Sequence, residues 1–237
     1  MYYIDIGNSL IKIKTPDKSS WRTVFTENTS EAHAAAGFLK RSGVASVGVS
    51  VVKDAAELIS SELDGTVNLK WFSKDDIPAK TLDYETPESL GLDRYMACLG
   101  ARVVSDSPVV VIDAGTACTI DYMDDKGVYR GGVIMPGLKL WENALKQYAP
   151  ALPQVERDIP MKWPGKSTET SVRWGLSGAF VEAVNGLVRK YDYLAKIWVT
   201  GGDGDWLAKR IERNAKVNDN LVFEGMRKLV EARLWFG

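Results

Sequence analysis

The sequence predicts an α/β fold made of two similar halves, each opening on a strand, an Asp-x-Gly turn and a second strand. Three observations carry that prediction. Tyr3-Ile4-Asp5-Ile6-Gly7-Asn8-Ser9-Leu10-Ile11-Lys12-Ile13 is echoed by Val111-Ile112-Asp113-Ala114-Gly115-Thr116-Ala117-Cys118-Thr119-Ile120-Asp121. In both halves strand-like stretches come first and helix-like stretches follow. A chain of 237 residues, 45% of them hydrophobic, also buries a substantial core without covalent cross-links. Strands first and helices after, done twice, implies a domain pair with a cleft between, divided near Ser105 to Pro108 into 1–106 and 107–237. No flexible tether marks the boundary, so relative motion is expected as a hinge around a shared ligand.

After the first strand-turn-strand unit, apolar spacing predicts a helix from Ser30 to Lys40, a strand at Val44 to Val52, a helix from Asp54 to Leu63 and a strand at Thr66 to Phe72. A segment containing Ile77, Pro78, Tyr84 and Pro87 leads to a helix from Asp93 to Val104. The second half opens with Val109 to Ile112, then pairs strands around Ala117 to Met123 and Val128 to Ile134 across the Asp124-Asp125-Lys126-Gly127 turn. Helices are expected near Leu138 to Tyr148, Glu169 to Tyr191, Asp205 to Glu212 and Phe223 to Leu234, with a strand at Lys196 to Thr200.

Composition narrows the function. The 30 Lys+Arg against 31 Asp+Glu leave a formal net charge of -1, so no global basic field draws the chain to nucleic acid or anionic lipid. Cys98 and Cys118 stand apart without a C-x-x-C pair, and the single histidine, His33, has no ligand partner at metal spacing. This argues against disulfide scaffolds, zinc sites and Ser-His or Cys-His catalysis. Met1 to Asp5 places an acid where a secretory signal needs positive charge, and no run reaches the ~18 apolar residues of a membrane span. A cytoplasmic protein without membrane or nucleic-acid partners is expected. The eight tryptophans, among them Trp71, Trp141, Trp163, Trp174, Trp198, Trp206 and Trp235, are explained by core and interface packing.

The repeated turn is the first chemical signal. A buried strand delivers an Asp at its end, Gly lets the backbone approach a ligand, and a small polar residue adds donors, which suits a phosphate or a phosphate-bound cation. Either copy alone reads as an ordinary hairpin turn; two copies at the head of two similar halves favour the ligand site. Gly165-Lys166-Ser167 has the tail of a phosphate-binding loop, but position 160 is Pro where the first Gly belongs, so that reading is rejected. Thr168 instead reads as a helix N-cap whose hydroxyl could also meet a substrate. Thr200-Gly201-Gly202-Asp203-Gly204 follows an apolar strand and is either a tight turn or a surface for a nucleotide. Gly91-Leu92-Asp93-Arg94 opens a helix; Asp93 is either its cap or a base for a substrate hydroxyl, with Arg94 fixing an anion.

Ordered motifs run over nearly the whole chain: Asp5-x-Gly7-Asn8-Ser9-x-x-Lys12, Tyr84-x-x-Pro87-x-x-Leu90-Gly91-x-Asp93-Arg94, Asp113-x-Gly115-Thr116-Ala117-x-Thr119-x-Asp121, Gly131-Gly132-x-Ile134-x-Pro136-Gly137-Leu138 and Thr200-Gly201-Gly202-Asp203. In this order the chain resembles the type III pantothenate kinases, of the acetate/sugar kinase, heat-shock ATPase and actin superfamily. The resemblance implies two actin-like, ribonuclease H-like halves of mixed sheets flanked by helices, with the active-site cleft between them. It implies ATP-dependent phosphorylation of pantothenate to 4'-phosphopantothenate, the first step toward coenzyme A. Carried over by position, Asp93 is the proton acceptor, and Tyr84, Gly91, Leu92, Asp93, Arg94 and Thr168 contact pantothenate. Asp5, Ile6, Gly7, Asn8, Ser9, Leu10, Ile11 and Lys12 hold the ATP phosphates, with Thr116 also on ATP. Asp113 matches the ligand of an activating potassium or ammonium ion, and magnesium accompanies the nucleotide. A homodimer is implied, with Thr168 acting on the neighbouring subunit. Ser9 stands where the family commonly has Thr, which keeps the hydroxyl. The alternatives are another small-molecule kinase or phosphatase of the superfamily, or a non-catalytic nucleotide-binding regulator. The intact Gly91 to Arg94 motif argues against the regulator, because a pure binder need not keep the base.

Overall fold

The computed structural model describes residues 1–50 and 52–233. Val51, within the expected strand Val44 to Val52, lies outside the described residues, as do Leu234 and Trp235. The chain forms two compact units: one holds Met1–Asp106, Asp125–Arg130 and the described residues from Asn220 on, the other Ser107–Asp124 and Gly131–Asp219.

In the first unit, β1 (Tyr2–Ile6), β2 (Leu10–Asp17) and β3 (Ser20–Asn28) form an antiparallel meander, followed by α1 (Ala32–Ser42), β4 (Ser46–Ser50), α2 (Lys53–Leu63) and β5 (Leu69–Trp71). The sheet order is β3-β2-β1-β4-β5, with β4 parallel to both β1 and β5. Alternation puts Ile4, Ile6, Ile11 and Ile13 on one face, where they pack with Ala35, Leu39, Ile59 and Leu63 of α1 and α2. Each fully buried Ile or Leu there is worth about 1.5–3 kcal/mol of transfer free energy. Gly43, at a φ of 61°, ends α1 by donating its N–H to the Leu39 carbonyl, the left-handed stop that glycine adopts without strain.

The second unit repeats the plan with β6 (Val109–Ala114), β7 (Ala117–Met123), β8 (Tyr129–Pro136), β9 (Lys196–Thr200) and β10 (Ala215–Val217), ordered β10-β9-β6-β7-β8. β6 is antiparallel to β7 and parallel to β9, as β1 is to β2 and β4. Val110, Ile112, Ile120, Ile197 and Val199 form the core of this sheet with Phe180, Val184 and Val188.

Between β5 and β6 lies α3 (Leu92–Ser105); α4 (Leu138–Tyr148), α5 (Thr168–Arg173), α6 (Ala179–Val188) and α7 (Gly204–Ala208) belong to the second unit, and α8 (Leu221–Arg233) to the first. The helix expected over Glu169 to Tyr191 is interrupted by a π-helical turn at Trp174–Gly178 and ends at Val188. The Trp174 indole lies across Gly178, where an added Cβ would meet the ring at 2.2 Å. The helix expected over Asp205 to Glu212 is one short turn, Gly204–Ala208.

The units depart from a cut into 1–106 and 107–237, because α8 folds against α3. The physical reason is a pair of glycines: a Cβ on Gly100 would meet the Leu221 carbonyl oxygen at 2.0 Å, and one on Gly225 the Met96 carbonyl oxygen at 2.1 Å. Backbone thus lies directly on backbone. Gly100→Ala is expected to cost about 1–3 kcal/mol through overpacking, read as a lower urea midpoint; an unchanged midpoint would mean that the two helices separate without penalty.

Candidate active site

The first Asp-x-Gly turn joins β1 to β2. The Gly7 N–H donates to the Leu10 carbonyl at 3.0 Å. Thr29, just past β3, holds the turn from outside: its N–H donates to the Ser9 carbonyl at 3.1 Å and its hydroxyl to the Gly7 carbonyl at 2.7 Å. Asn8 and Ser9 are exposed at the tip, and Asp5 stands opposite Lys12 in the ladder, so their side chains share a face. A lysine, a hydroxyl and an amide gathered on a fixed turn form a set of donors for phosphate oxygens.

The Gly91 to Arg94 motif starts α3. Gly91 occupies the N-cap position without any side-chain cap bond, and Asp93 is the second helical residue, so the reading of Asp93 as the cap is corrected. The Asp93 carboxylate instead folds back over Gly91, where an added Cβ would lie 2.6 Å from Oδ1. The glycine leaves that space to the carboxylate, which a side chain at position 91 would displace. Lys74, on a short 3-10 turn, feels Asp93 and Glu88: burial lowers the pKa of its ammonium, and the two carboxylates oppose that shift. Arg94 is buried.

Tyr84 is keyed to the same helix through Tyr129. The Tyr84 and Tyr129 rings are 6.0 Å apart, and Tyr129 lies 6.2 Å from Tyr95 of α3. The Asp83 N–H donates to the Tyr129 carbonyl at 3.0 Å, and Arg130 pairs with Asp83 at 2.6 Å. Neither the Tyr129 contact nor this ion pair was visible in the sequence, since Tyr129 lies 45 residues from Tyr84 and Arg130 lies 47 from Asp83.

The second turn joins β6 to β7, with the Gly115 N–H donating to the Ala117 carbonyl at 3.1 Å. It is enclosed by backbone. The Gly137 N–H donates to the Thr116 carbonyl at 3.0 Å, and a Cβ on Gly137 would fall 2.1 Å from the Gly115 carbonyl oxygen. Gly201, at a φ of +90°, brings its Cα against Asp113, where a Cβ would meet Oδ1 at 2.5 Å and the Ala114 carbonyl oxygen at 2.7 Å. The Asp203 N–H donates to the Ala114 carbonyl at 3.0 Å. Thr116 is exposed beside this seat.

Thr168 is not the cap of α5. Ser167 is: its hydroxyl accepts from the Thr170 N–H at 3.2 Å, while Thr168 is the first helical residue. Thr168 lines an apolar pocket of about 730 Å³ with Leu140, Trp141, Leu152, Val172 and Leu176. Pro136, next to the Gly137 that packs on the second turn, lines it too.

Residues 1–190 match the type III pantothenate kinase family. The chain belongs to that family. The type III pantothenate kinase of Flavobacterium johnsoniae is 30% identical over 239 residues, covering 98% of this chain and 97% of that protein. Among solved structures, a Campylobacter jejuni protein described as of the Baf family of transcriptional activators is similar with a TM-score of 0.72 and 24% identity, over 99% of each chain. A Sinorhizobium meliloti protein described as a 2-dehydro-3-deoxygalactonokinase is similar with a TM-score of 0.63 and 12% identity, over 100% of this chain and 99% of that one. These likenesses show the fold, two mixed five-stranded sheets flanked by helices in the actin-like manner. As a family member the protein is an enzyme, a kinase, and family membership implies a divalent metal with its nucleotide.

The kinase offers few groups for a tightly held metal: among the described residues no cluster of three or more His, Cys, Asp or Glu is placed to ligate one. The Asp113 seat fits a hard monovalent cation better. It sets the Asp113 carboxylate beside the Ala114 carbonyl oxygen, with the Gly201 backbone packed so closely on both that a Cβ there would clash at 2.5 and 2.7 Å. The local field is negative, because Asp113, Asp121 and Asp203 all act on the Cys118 thiol, whose pKa is raised from 9.0 to about 12, first by burial and then by those carboxylates. No helix among the described residues is long and apolar enough to cross a membrane.

Cys118 shares its shift with Tyr3, raised from 10.0 to about 12 mainly by burial, with Glu231 next. Both groups hold their protons more tightly when folded, so their contribution is complete below the unfolded values and is lost as pH rises toward about 12. Urea titrations are expected to show stability declining steadily from about pH 9 to about pH 12, with Cys118 resisting iodoacetamide in the folded protein. Rapid alkylation near neutral pH would mean that the site opens readily.

Proposed function

We propose that this kinase transfers the γ-phosphoryl group of ATP to the primary hydroxyl of pantothenate, giving 4'-phosphopantothenate and ADP as the first step toward coenzyme A. The observation that carries the reading is the Asp93 carboxylate folded over Gly91 at the start of α3, in a chain whose first 190 residues match the family. Asp93 accepts the hydroxyl proton as the new P–O bond forms and the bond to the β-phosphate oxygen breaks, the leaving group departing as ADP. Arg94 and Tyr84, with Gly91 and Leu92, bind pantothenate, the guanidinium answering its carboxylate.

The turn from Asp5 through Ile6, Gly7, Asn8, Ser9, Leu10 and Ile11 to Lys12 takes the ATP phosphates, and Thr116 with the Gly201-Gly202 turn takes the rest of the nucleotide. Asp113 and its neighbouring carbonyls would hold potassium or ammonium, and magnesium would travel with ATP. When bound, these cations offset the charge that spreads over the phosphoryl oxygens. The residues' task is otherwise positional, since a loose phosphoryl transfer asks for alignment more than covalent chemistry.

The apolar pocket beside Thr168, together with exposed Leu140, Tyr148, Leu152, Met161 and Trp163, supports a homodimer in which Thr168 contributes to the neighbouring subunit's pantothenate site. A cytoplasmic location fits a kinase whose substrates are small soluble metabolites.

ATP-dependent phosphorylation of pantothenate is the test, with potassium, ammonium or sodium as the sole monovalent cation. Asp93→Asn is expected to fold normally and to lose about 10²- to 10⁴-fold in turnover; near-normal turnover removes Asp93 from the mechanism. Asp113→Ala is expected to lose the activation by potassium or ammonium while still binding pantothenate. A response to potassium as steep as that of the unaltered enzyme would move the cation elsewhere.

A further inference from the structure

Arg157 lies in the loop between α4 and α5, outside every motif that the proposed chemistry uses. Its guanidinium nevertheless makes three hydrogen bonds to two carboxylates. Nε and Nη2 donate to the two carboxylate oxygens of Glu142 on α4 at 2.5 and 2.8 Å, and Nη1 donates to Asp203 Oδ1 at 2.6 Å. Its own carbonyl accepts from Trp206 Nε1, on α7, at 2.8 Å. Arg157, Glu142 and Asp203 retain only 34%, 28% and 21% of their side-chain exposure, so water screens these pairs weakly.

Asp203 belongs to the glycine turn that seats on Asp113. Its backbone N–H holds the Ala114 carbonyl and its carboxylate is held by Arg157, so the turn is gripped from both sides. We propose that Arg157 is a positioning residue for nucleotide binding: it clasps the Thr200 to Gly204 turn to α4 and supplies the positive charge that keeps Asp203 from repelling the phosphates. The inference rests on the assignment of that turn to the nucleotide.

Two consequences separate this role from simple support of the fold. Loss of the guanidinium takes from the Asp203 carboxylate its partner, in a region where Asp113 and Asp121 act on the same thiol, so nucleotide binding weakens more than pantothenate binding. Neutralising Asp203 in the same protein removes the repulsion and restores binding, which a packing defect would not do.

The experiment titrates the full-length protein with the fluorescent nucleotide mant-ATP in magnesium and potassium, alongside steady-state kinetics. Arg157→Met is expected to raise the mant-ATP Kd about tenfold, the loss typical of a charge-assisted hydrogen bond, with the KM for pantothenate within about twofold of the unaltered enzyme. Arg157→Met with Asp203→Asn is expected to regain most of that loss, and Arg157→Lys, which cannot form the bidentate pair, to fall between. A folded Arg157→Met with an unchanged mant-ATP Kd overturns the proposal, as does an equal rise in both constants that Asp203→Asn leaves uncorrected. If Arg157→Met does not fold, Glu142→Gln keeps the Asp203 pair but loosens the clasp; a smaller rise in Kd supports the proposal and no change overturns it. Unaltered protein that binds mant-ATP without phosphorylating pantothenate sinks the substrate assignment alone, whereas failure to bind mant-ATP sinks the positioning role with it.

Discussion

Backbone lying on backbone at the Asp113 turn is the contact on which the second unit's chemistry depends. Gly137 and Gly201 each leave less than a side chain's width against the main chain at positions 114–116, and two N–H groups cross that gap to carbonyls of the turn. A strand end, a helix start and a strand-to-helix turn are brought together there by main-chain packing, to which Arg157 adds a side-chain hold on Asp203. Close main-chain packing of this kind is what electrostatic preorganisation of a carboxylate asks for.

The first unit solves the same problem by other means. Its turn is more open, since a Cβ on Gly7 would meet nothing closer than the Leu10 carbonyl oxygen at 3.6 Å, and Thr29 secures it with two hydrogen bonds. Two turns with a common sequence pattern are therefore held differently, one by hydrogen bonds from Thr29 and the other by close-packed backbone from Gly137 and Gly201. The first lies beside Lys12, and the second beside the Asp113 carboxylate proposed as a cation ligand.

Much of this was legible in the sequence because it is local. The Asp-x-Gly turns, the alternating Ile residues of β1 and β2, and the glycine before Asp93 each lie within a dozen residues of what they explain. What stayed hidden is either polar or remote. β3 has no fully buried residue, so its alternation carried no apolar signal, and β10 is three residues long. The π-helical turn holds Trp174 against Gly178 and leaves the apolar spacing intact on both sides, so no pattern marks it. Thr29, Tyr129 and Arg157 act over 22, 45 and 46 residues respectively, through hydrogen bonds or ring contacts that no short pattern encodes. Thr168 was read as a cap because Ser167, one residue earlier, has the same chemistry and differs only in register.

The docking of α8 on α3 has a consequence for how the chain can be cut. Lys14 on β2 reaches Asn220 at 2.6 Å and Trp21 on β3 reaches Glu224 at 2.8 Å, while Phe223 packs beside the Trp21 ring. β2 and β3 thus contact partners some two hundred residues further along the chain, beyond the entire second unit. The second unit is contiguous apart from the short 125–130 excursion, whereas the first is closed only by chain that lies on the far side of the second. A cut between the two halves of the sequence would therefore take from β2 and β3 the helix that Lys14 and Trp21 bond to.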